Sequence, residues 1–339
     1  MKDAPLARAG KVVGPRLRHG DSGAAPAELR APRRPHVLVL PTYALDQVGN
    51  SQRTAKLAAD HGFTPVIVCN SASVSAALAD DPFSLSTGVN TGYGGAAALV
   101  AGSVEFETMV LCNDDLNFTD SAMDALRVAV QRFERGEATI MGFLPRARPR
   151  IVPLPGVLGV LALVSGLSGV TRRYGERLAR RSYALDLSGL DAPAQQMPDG
   201  MGVPFVCVAI TREAWDRLGG FDDRFPLYFE DVDLLTRAHR SGTIQVSVAL
   251  GDCTHLHSAS GRTVLAYILP LMSVGARNHL QLHRRLSRPI AALLVTTGLL
   301  VRATCWLPFR SDRSTEVRAI LRSLRAVWSN RPSPMPPWS

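Results

Sequence analysis

Cysteine, aromatic residues and, over one long stretch, acid are all scarce in this chain of 339 residues. The five cysteines (Cys69, Cys112, Cys207, Cys253 and Cys305) are odd in number and scattered, with no CxxC spacing. Four lie in apolar, strand-like runs where cysteine behaves as a small buried hydrophobe. The pattern argues against a disulfide framework and for a reducing compartment. Aromatics make up 6% of the chain and do not interleave with its lysines and arginines. Without that interleaving there is no strand pattern for stacking RNA or DNA bases, and no nucleic-acid partner is expected. The basic N-terminus has no apolar h-region, so no signal peptide is expected. No acid occurs between Asp252 and Asp312, although Arg262, Arg277, Arg284, Arg285, Arg288, Arg302 and Arg310 do.

What is present begins with size. A chain this long can bury a sizeable core, expected as one large domain with appendages. The formal charge of +9 is uneven: residues 1–35 hold eight basic and three acidic side chains, and residues 310–339 hold six and two. Those tails contribute +5 and +4, which leaves residues 36–309 neutral. A basic C-terminal third beside apolar helices suits an anionic membrane surface better than a nucleic-acid groove.

Residues 1–35 are rich in Arg, Ala, Gly and Pro without periodicity, which predicts a disordered basic arm. Short apolar runs predict strands at 36–43, 64–69, 108–112, 138–143 and 203–210. Helices are expected at 51–62 with Ser51 as N-cap, at 96–101, at 119–135 capped by Thr119, and at 211–218. Strands alternating with helices imply a mostly parallel α/β sheet. Two segments are unusually apolar. Residues 151–170 (IVPLPGVLGVLALVSGLSGV) carry no charge and are long enough to span a bilayer. Residues 289–309 are interrupted by Arg302, and their basic flanks at both ends give no inside–outside bias, so a monotopic anchor is expected there.

The richest stretch is 219–242, GGFDDRFPLYFEDVDLLTRAHRSG. Asp222, Asp223, Glu230, Asp231 and Asp233 sit among Phe221, Phe225, Leu227, Tyr228 and Phe229, and exposed loops rarely mix acids with so many rings. Gly219-Gly220 should end one helix, and Glu230 should open another that Gly242 stops. Acids in the first turn are favoured as ions by the helix dipole, and a carboxylate beside apolar walls is a candidate general base. A plain N-terminal cap with an Asp233–Arg237 pair one turn on would use the same residues.

This stretch resembles the FDE…YxEDxDLxxR…G block of family 2 inverting glycosyltransferases, which have the GT-A fold. The matching residues are Phe221-Asp222-Asp223, Tyr228, Glu230-Asp231-Val232-Asp233-Leu234, Arg237 and Gly242. The resemblance implies Asp231 as the catalytic base, with Glu230 positioning the acceptor or tuning it. Asn113-Asp114-Asp115 follows the strand at 108–112, at the carboxyl end where open α/β sheets bind ligands. It is similar to the family's DxD-like motif, which implies Asp115 as ligand of Mn²⁺ or Mg²⁺ and Asp114 as an auxiliary contact; an Asx-type turn is the plainer reading. His255 matches the family's metal-closing His in an HxxGxS-like run, with Ser258 in place of Gly and Ser260 as the Ser. Otherwise it is a hydrogen-bonded His after a strand, as His257 is expected to be. Asn90-Thr91-Gly92-Tyr93-Gly94-Gly95 resembles the NxGxxGAxN block, whose glycines would let the chain pass close to the nucleotide, or else form a flexible turn. Ala97 and Ala98 stand where the family has Asn. Val68-Cys69-Asn70-Ser71 stands where the family has VDNxS, with Cys69 replacing the base-reading Asp, and Thr42-Tyr43-Ala44 replaces TYN.

The resemblance therefore implies a GT-A domain at 36–260 with an apolar insertion at 151–181, followed by a basic helical region at 261–339. Because Asp115 and Asp231 must share one site, 151–170 cannot be a single span between them. It is expected as a membrane-lying or re-entrant pair, or as a buried core insertion. The implied partners are a dTDP- or UDP-linked sugar donor (contacted by Asn70, Asn90, Gly92, Asn113 and Asp114), a glycan or lipid-linked acceptor, and a membrane surface. The implied location is cytoplasmic, peripheral on the inner face of the cell membrane. The processive QxxRW motif is missing, so one sugar per encounter is expected, and Arg277-Asn278 matches an RN pair of related rhamnosyl- and galactofuranosyltransferases. A nucleotidyltransferase would need a basic, glycine-rich loop after the first strand, which residues 41–50 do not provide. A non-catalytic glycan-binding or scaffold relative remains the alternative.

Overall fold

Apolar runs of five to seven residues, separated by helices with one apolar face, assemble here into one large sheet covered on both sides. The computed structural model describes residues 36–133, 138–146, 151–167, 195–255, 265–309 and 312–329. Its strands are β1 (His36–Thr42), β2 (Thr64–Cys69), β3 (Ser84–Ser86), β4 (Thr108–Cys112), β5 (Leu116–Asn117) and β6 (Thr139–Pro145). They continue with β7 (Val152–Pro153), β8 (Gln195–Gln196), β9 (Met201–Gly202), β10 (Cys207–Thr211), β11 (Gln245–Gly251) and β12 (Thr254–His255). The main sheet has the order β3-β2-β1-β4-β10-β6-β11-β8. Within it β10 runs against β4 and β6, and β8 runs against β11, while the other neighbours are parallel. The expected mostly parallel α/β sheet flanked by helices, with a helical C-terminal region, is what the structure has.

Every residue of β1, β2 and β4 is buried, as strands covered on both faces must be. Period-two alternation divides them between two cores. Val37, Val39, Val66 and Val68 face one core, closed by α3 (Gly92–Ser103), α6 (Arg212–Leu218) and α7 (Glu230–Ser241). Leu38, Leu40, Ile67 and Cys69 face the other, closed by α1 (Val48–Asp60) and α4 (Asp120–Gln131). A short α2 (Ala72–Ala77) follows β2. A third core lies within a bundle of α5 (Val157–Ser165), α8 (Leu265–Arg284), α9 (Arg288–Trp306) and α10 (Arg313–Trp328). Phe225 and Phe229, from the loop before α7, are part of it.

Several expected boundaries shift. Helix α1 begins three residues before Ser51, which is buried and places its hydroxyl 2.7 Å from that of Thr42 instead of capping. Glycine-rich residues expected to precede a helix form the first turn of α3. The strand expected at 203–210 begins at Cys207, and its reversal was not foreseen. Thr119 and Thr211 do cap α4 and α6, accepting from the amides of Ala122 and Ala214. In the apolar segment 151–170, the described part holds β7 and α5. That helix of nine residues is about 13 Å long, well short of a bilayer. It packs on α9, where a side chain at Gly298 would meet Val164 at 3.3 Å. The N-terminal arm at 1–35 and residues His257, Ser258 and Ser260 lie outside the described residues.

Candidate active site

The carboxyl ends of β1, β2 and β4 converge on one edge of the sheet, and the motif residues collect there. After β4 the chain turns at Asn113-Asp114-Asp115, with the Asn113 amide donating to Val206 O (2.8 Å) and the Leu116 amide to Asn113 O (3.3 Å). Strand β5 then pairs with β12, register Leu116 to His255. That pairing brings the His255 Nε2 to 3.0 Å from Asp115 Oδ1, across 140 residues of sequence. Asp115 is buried. Asp114 turns the other way and accepts from the Tyr43 amide (3.3 Å). Burial lifts its carboxyl to about 7 against that amide's opposing pull.

Asn70 is fully buried at the end of β2, and its Oδ1 accepts from the Thr91 amide (3.2 Å) and hydroxyl (2.8 Å). Asn90 Oδ1 accepts from the Gly92 amide (3.0 Å), and Gly92 holds a φ of 75° that suits glycine. The structure thus joins the Asn70 and Asn90–Gly92 loops. A Cβ on Gly94 would lie 2.9 Å from Phe221 Cβ, so Gly94 lets α3 close on the acidic loop. Ala97 is in the core. Cys69 is also buried, and burial raises its thiol to about 11, so no negative charge stands where the family has its Asp.

Glu230 opens α7 and Gly242 ends it in the left-handed conformation, as expected. The preceding Tyr228 and Phe229 have φ of 64° and 70°, a strained conformation for aromatic residues costing about 1–3 kcal/mol each. Helix α8 holds them there. A Cβ on Gly275 would sit 2.9 Å from Tyr228 O, and the His279 ring lies 5.6 Å from that of Phe229. Asn278 Nδ2 donates to Arg224 O (2.9 Å), and Arg277 Nη1 donates to Val327 O (2.7 Å) at the end of α10. The RN pair therefore ties the acidic loop to the bundle. Asp233 is wholly engaged. Its Oδ2 takes Arg237 Nε (2.8 Å), and Arg237 also donates to Leu218 O and Gly220 O. Its Oδ1 meets His283 Nε2 at 2.7 Å. Because Arg240 Nη1 donates to His283 Nδ1 (2.9 Å), the imidazole proton sits on Nε2 and points at Asp233. Asp233 is structural.

Glu230 and Asp231 are different. Glu230 is buried, and its Oε2 has no hydrogen-bond partner among the described residues. Burial first, and then the charge of Asp231, push its carboxyl well above the usual range. Burial also raises Asp231, against the amides of Val232 (2.7 Å) and Phe205. The Phe205 amide that Asp231 accepts from adjoins Val206, whose carbonyl takes the Asn113 amide, so the two acidic motifs meet across residues 205–206. Since the folded pKa of Glu230 exceeds its unfolded value, its contribution to stability is full below the unfolded pKa and lost as pH rises through the folded one. Glu230→Gln should therefore unfold at higher urea than the parent at pH 8, by about 1–2 kcal/mol, with the gain vanishing near pH 4. A constant difference across that range would remove Glu230 as the titrating group.

Asn50 and, on α8, Gly275, His279 and His283 were not singled out by motif reading as parts of this site. Their contacts run through backbone atoms or through a helix distant in sequence. The divalent-ion expectation can be set against the donors present. A buried carboxylate and an imidazole in contact, with no group of three or more His, Cys, Asp or Glu among the described residues, fit a cation whose remaining positions go to phosphate and water.

No family model matches the chain. Over 182 residues, half of this chain, it is 29% identical to the N-acetylglucosaminyl-diphospho-decaprenol L-rhamnosyltransferase of Mycobacterium tuberculosis, in strains CDC 1551 / Oshkosh and ATCC 25618 / H37Rv. The match spans 57% of the length of those curated relatives. Among solved structures, the chain is similar to glucosyl-3-phosphoglycerate synthase from M. tuberculosis, in complex with phosphoglyceric acid or with Mg²⁺ and UDP. That likeness has a TM-score of 0.43 and 16% identity, and it covers 74% of this chain and 81% of that one. The resemblance to family 2, and to rhamnosyltransferases within it, is borne out by the curated relatives.

Proposed function

We propose that this chain is an inverting glycosyltransferase that moves one sugar from a nucleotide-diphosphate sugar to a cell-envelope glycan or lipid-linked acceptor. The observation that supports it most is the meeting of Asp115 with His255 beside residues 205–206, which bond both the Asn113 turn and Asp231. Asp231 removes the acceptor hydroxyl proton, and the freed oxygen forms its bond to the anomeric carbon from the face opposite the donor phosphate. The bond from that carbon to the phosphate oxygen breaks, the electron pair leaves with the nucleoside diphosphate, and configuration inverts. Asp115 and His255 would hold Mn²⁺ or Mg²⁺, which when bound supplies positive charge against the leaving diphosphate. Glu230 positions the acceptor. Asn70, Asn90, Gly92, Asn113 and Asp114 line the donor side, within a catalytic domain of residues 36–260.

The acceptor reading draws on the decaprenol-linked acceptor in the curated relatives' name. It also draws on the outer face of the bundle. Ile290, Leu293, Thr297 and Leu300 make an exposed stripe on α9, and Val317, Leu321 and Trp328 make another on α10. Trp328 Nε1 donates to Thr296 Oγ1 (3.1 Å), which sets the two stripes side by side, with Arg318, Arg322 and Arg325 along the edge. An apolar face fringed by arginine suits the cytoplasmic leaflet, and we place the protein there, peripheral and monotopic. Residues 261–339 would be the membrane-associating region. A scaffold relative is the second reading, favoured by the neutral Cys69 at the base-reading position.

Calorimetric titration of UDP, dTDP and GDP with and without Mn²⁺, on the parent and on Asp115→Asn, tests the proposal. One nucleotide is expected to bind in a metal-dependent way that the variant loses. dTDP would indicate rhamnose, and UDP galactofuranose or a hexose. If no nucleotide binds, the scaffold reading replaces this one.

A further inference from the structure

Asn50, in the first turn of α1, is buried. Its bonds leave the helix. Asn50 Nδ2 donates to Asp114 O (2.5 Å) and to Leu116 O (2.9 Å), the carbonyls that bracket Asp115. Its Oδ1 accepts from Arg53 Nη2 (2.5 Å), and the same nitrogen donates to Asn117 Oδ1 (2.9 Å). The guanidinium thus fixes which way the amide points, because arginine only donates. It also anchors Asn117, the residue that pairs with Thr254 beside His255. One turn of α1 therefore grips residues 114–117 from behind. Those residues carry Asp115 and, through the β5–β12 pairing, set the place of His255.

We infer that Asn50, oriented by Arg53, is the positioning residue of the Asp115–His255 pair and sets how tightly that pair takes a divalent cation. The inference rests on the proposed divalent site. With two protein donors, affinity depends on keeping carboxylate and imidazole in register, and groups that orient metal ligands typically change affinity by about 10- to 100-fold when removed.

The test is a Mn²⁺ titration in saturating UDP, or in dTDP if that is the nucleotide bound, read from the paramagnetic resonance of free Mn²⁺. It compares the full-length parent, Asn50→Leu, Arg53→Gln and Asp115→Asn. Asn50→Leu keeps the number and branching of the side-chain heavy atoms but offers neither donor nor acceptor. It should weaken Mn²⁺ by about 10- to 100-fold. Arg53→Gln should weaken it in the same direction by a smaller factor. Should Asn50→Leu fail to fold, Arg53→Gln, on an exposed side chain, decides alone. Parent-like Mn²⁺ binding in the Asn50 and Arg53 variants, with Asp115→Asn inert, overturns the positioning role and leaves the divalent site standing. Parent-like binding in Asp115→Asn overturns the site itself, and this inference with it.

Discussion

Asp231→Asn should lower sugar transfer by about 10²- to 10⁴-fold and leave the melting temperature and nucleotide binding close to the parent's. The substitution keeps the oxygen that accepts from the Val232 amide, so the first turn of α7 stays in place. What it removes is the carboxyl of the pair that is raised less, since burial and its neighbour push Glu230 further up. The pH profile carries the finer part of the prediction. Burial raises Asp231, so parent activity should climb as pH rises through that raised value, and the residual activity of the variant should be flat there. A scaffold would behave differently: its cellular role would survive Asp231→Asn. A variant that transfers sugar at the parental rate would assign the base elsewhere.

Arg302→Ala should cost about 3–5 kcal/mol, enough to unfold the helical bundle of a marginally stable protein. Arg302 interrupts an otherwise apolar segment, which on sequence grounds suggested an anchor broken by a charge. In the structure it is buried in α9, and its Nε donates to Glu316 Oε1 (2.6 Å), itself buried in α10. Removing the guanidinium leaves a carboxylate in an apolar interior, and that desolvation dominates the loss. The double variant Arg302→Met with Glu316→Leu should recover most of it, because a buried pair is about as stable as well-packed apolar groups of similar volume. Urea unfolding of the three proteins measures this. An Arg302→Ala protein as stable as the parent would mean that the pair is open to water.

The motifs were legible where function sits in contiguous residues. The acidic run at 219–242 declared its helix, its start and its stop, and Asn113-Asp114-Asp115 declared a carboxyl-edge position. His255 was legible only through the family resemblance. Its contact with Asp115 is made by the pairing of two strands of two residues each, which no local periodicity encodes. Asn50 was silent because it acts on backbone carbonyl oxygens, which every residue has, and Arg53 because its partners are the side chains of Asn50 and Asn117. Gly94 misled: a glycine beside a phosphate and a glycine beside Phe221 look alike in sequence, since both report only a close approach. The direction of β10 was hidden for a similar reason, as a fully buried strand has the same composition in either sense.

Helix α8 has a consequence for how this protein can be taken apart. One face of it, Gly275, Asn278, His279 and His283, roofs the acidic loop and braces α7, while Leu269, Ala276 and Leu280 line the core it shares with α9 and α10. The bundle is thus no detachable module hung on a finished sheet domain. A chimera that imports the C-terminal helices of a relative inherits a different roof, and Tyr228 and Phe229 relax out of their left-handed turn unless residues 219–233 travel with them. Exchange of acceptor preference between such proteins has to cut upstream of Gly219, not at the apparent seam after β12.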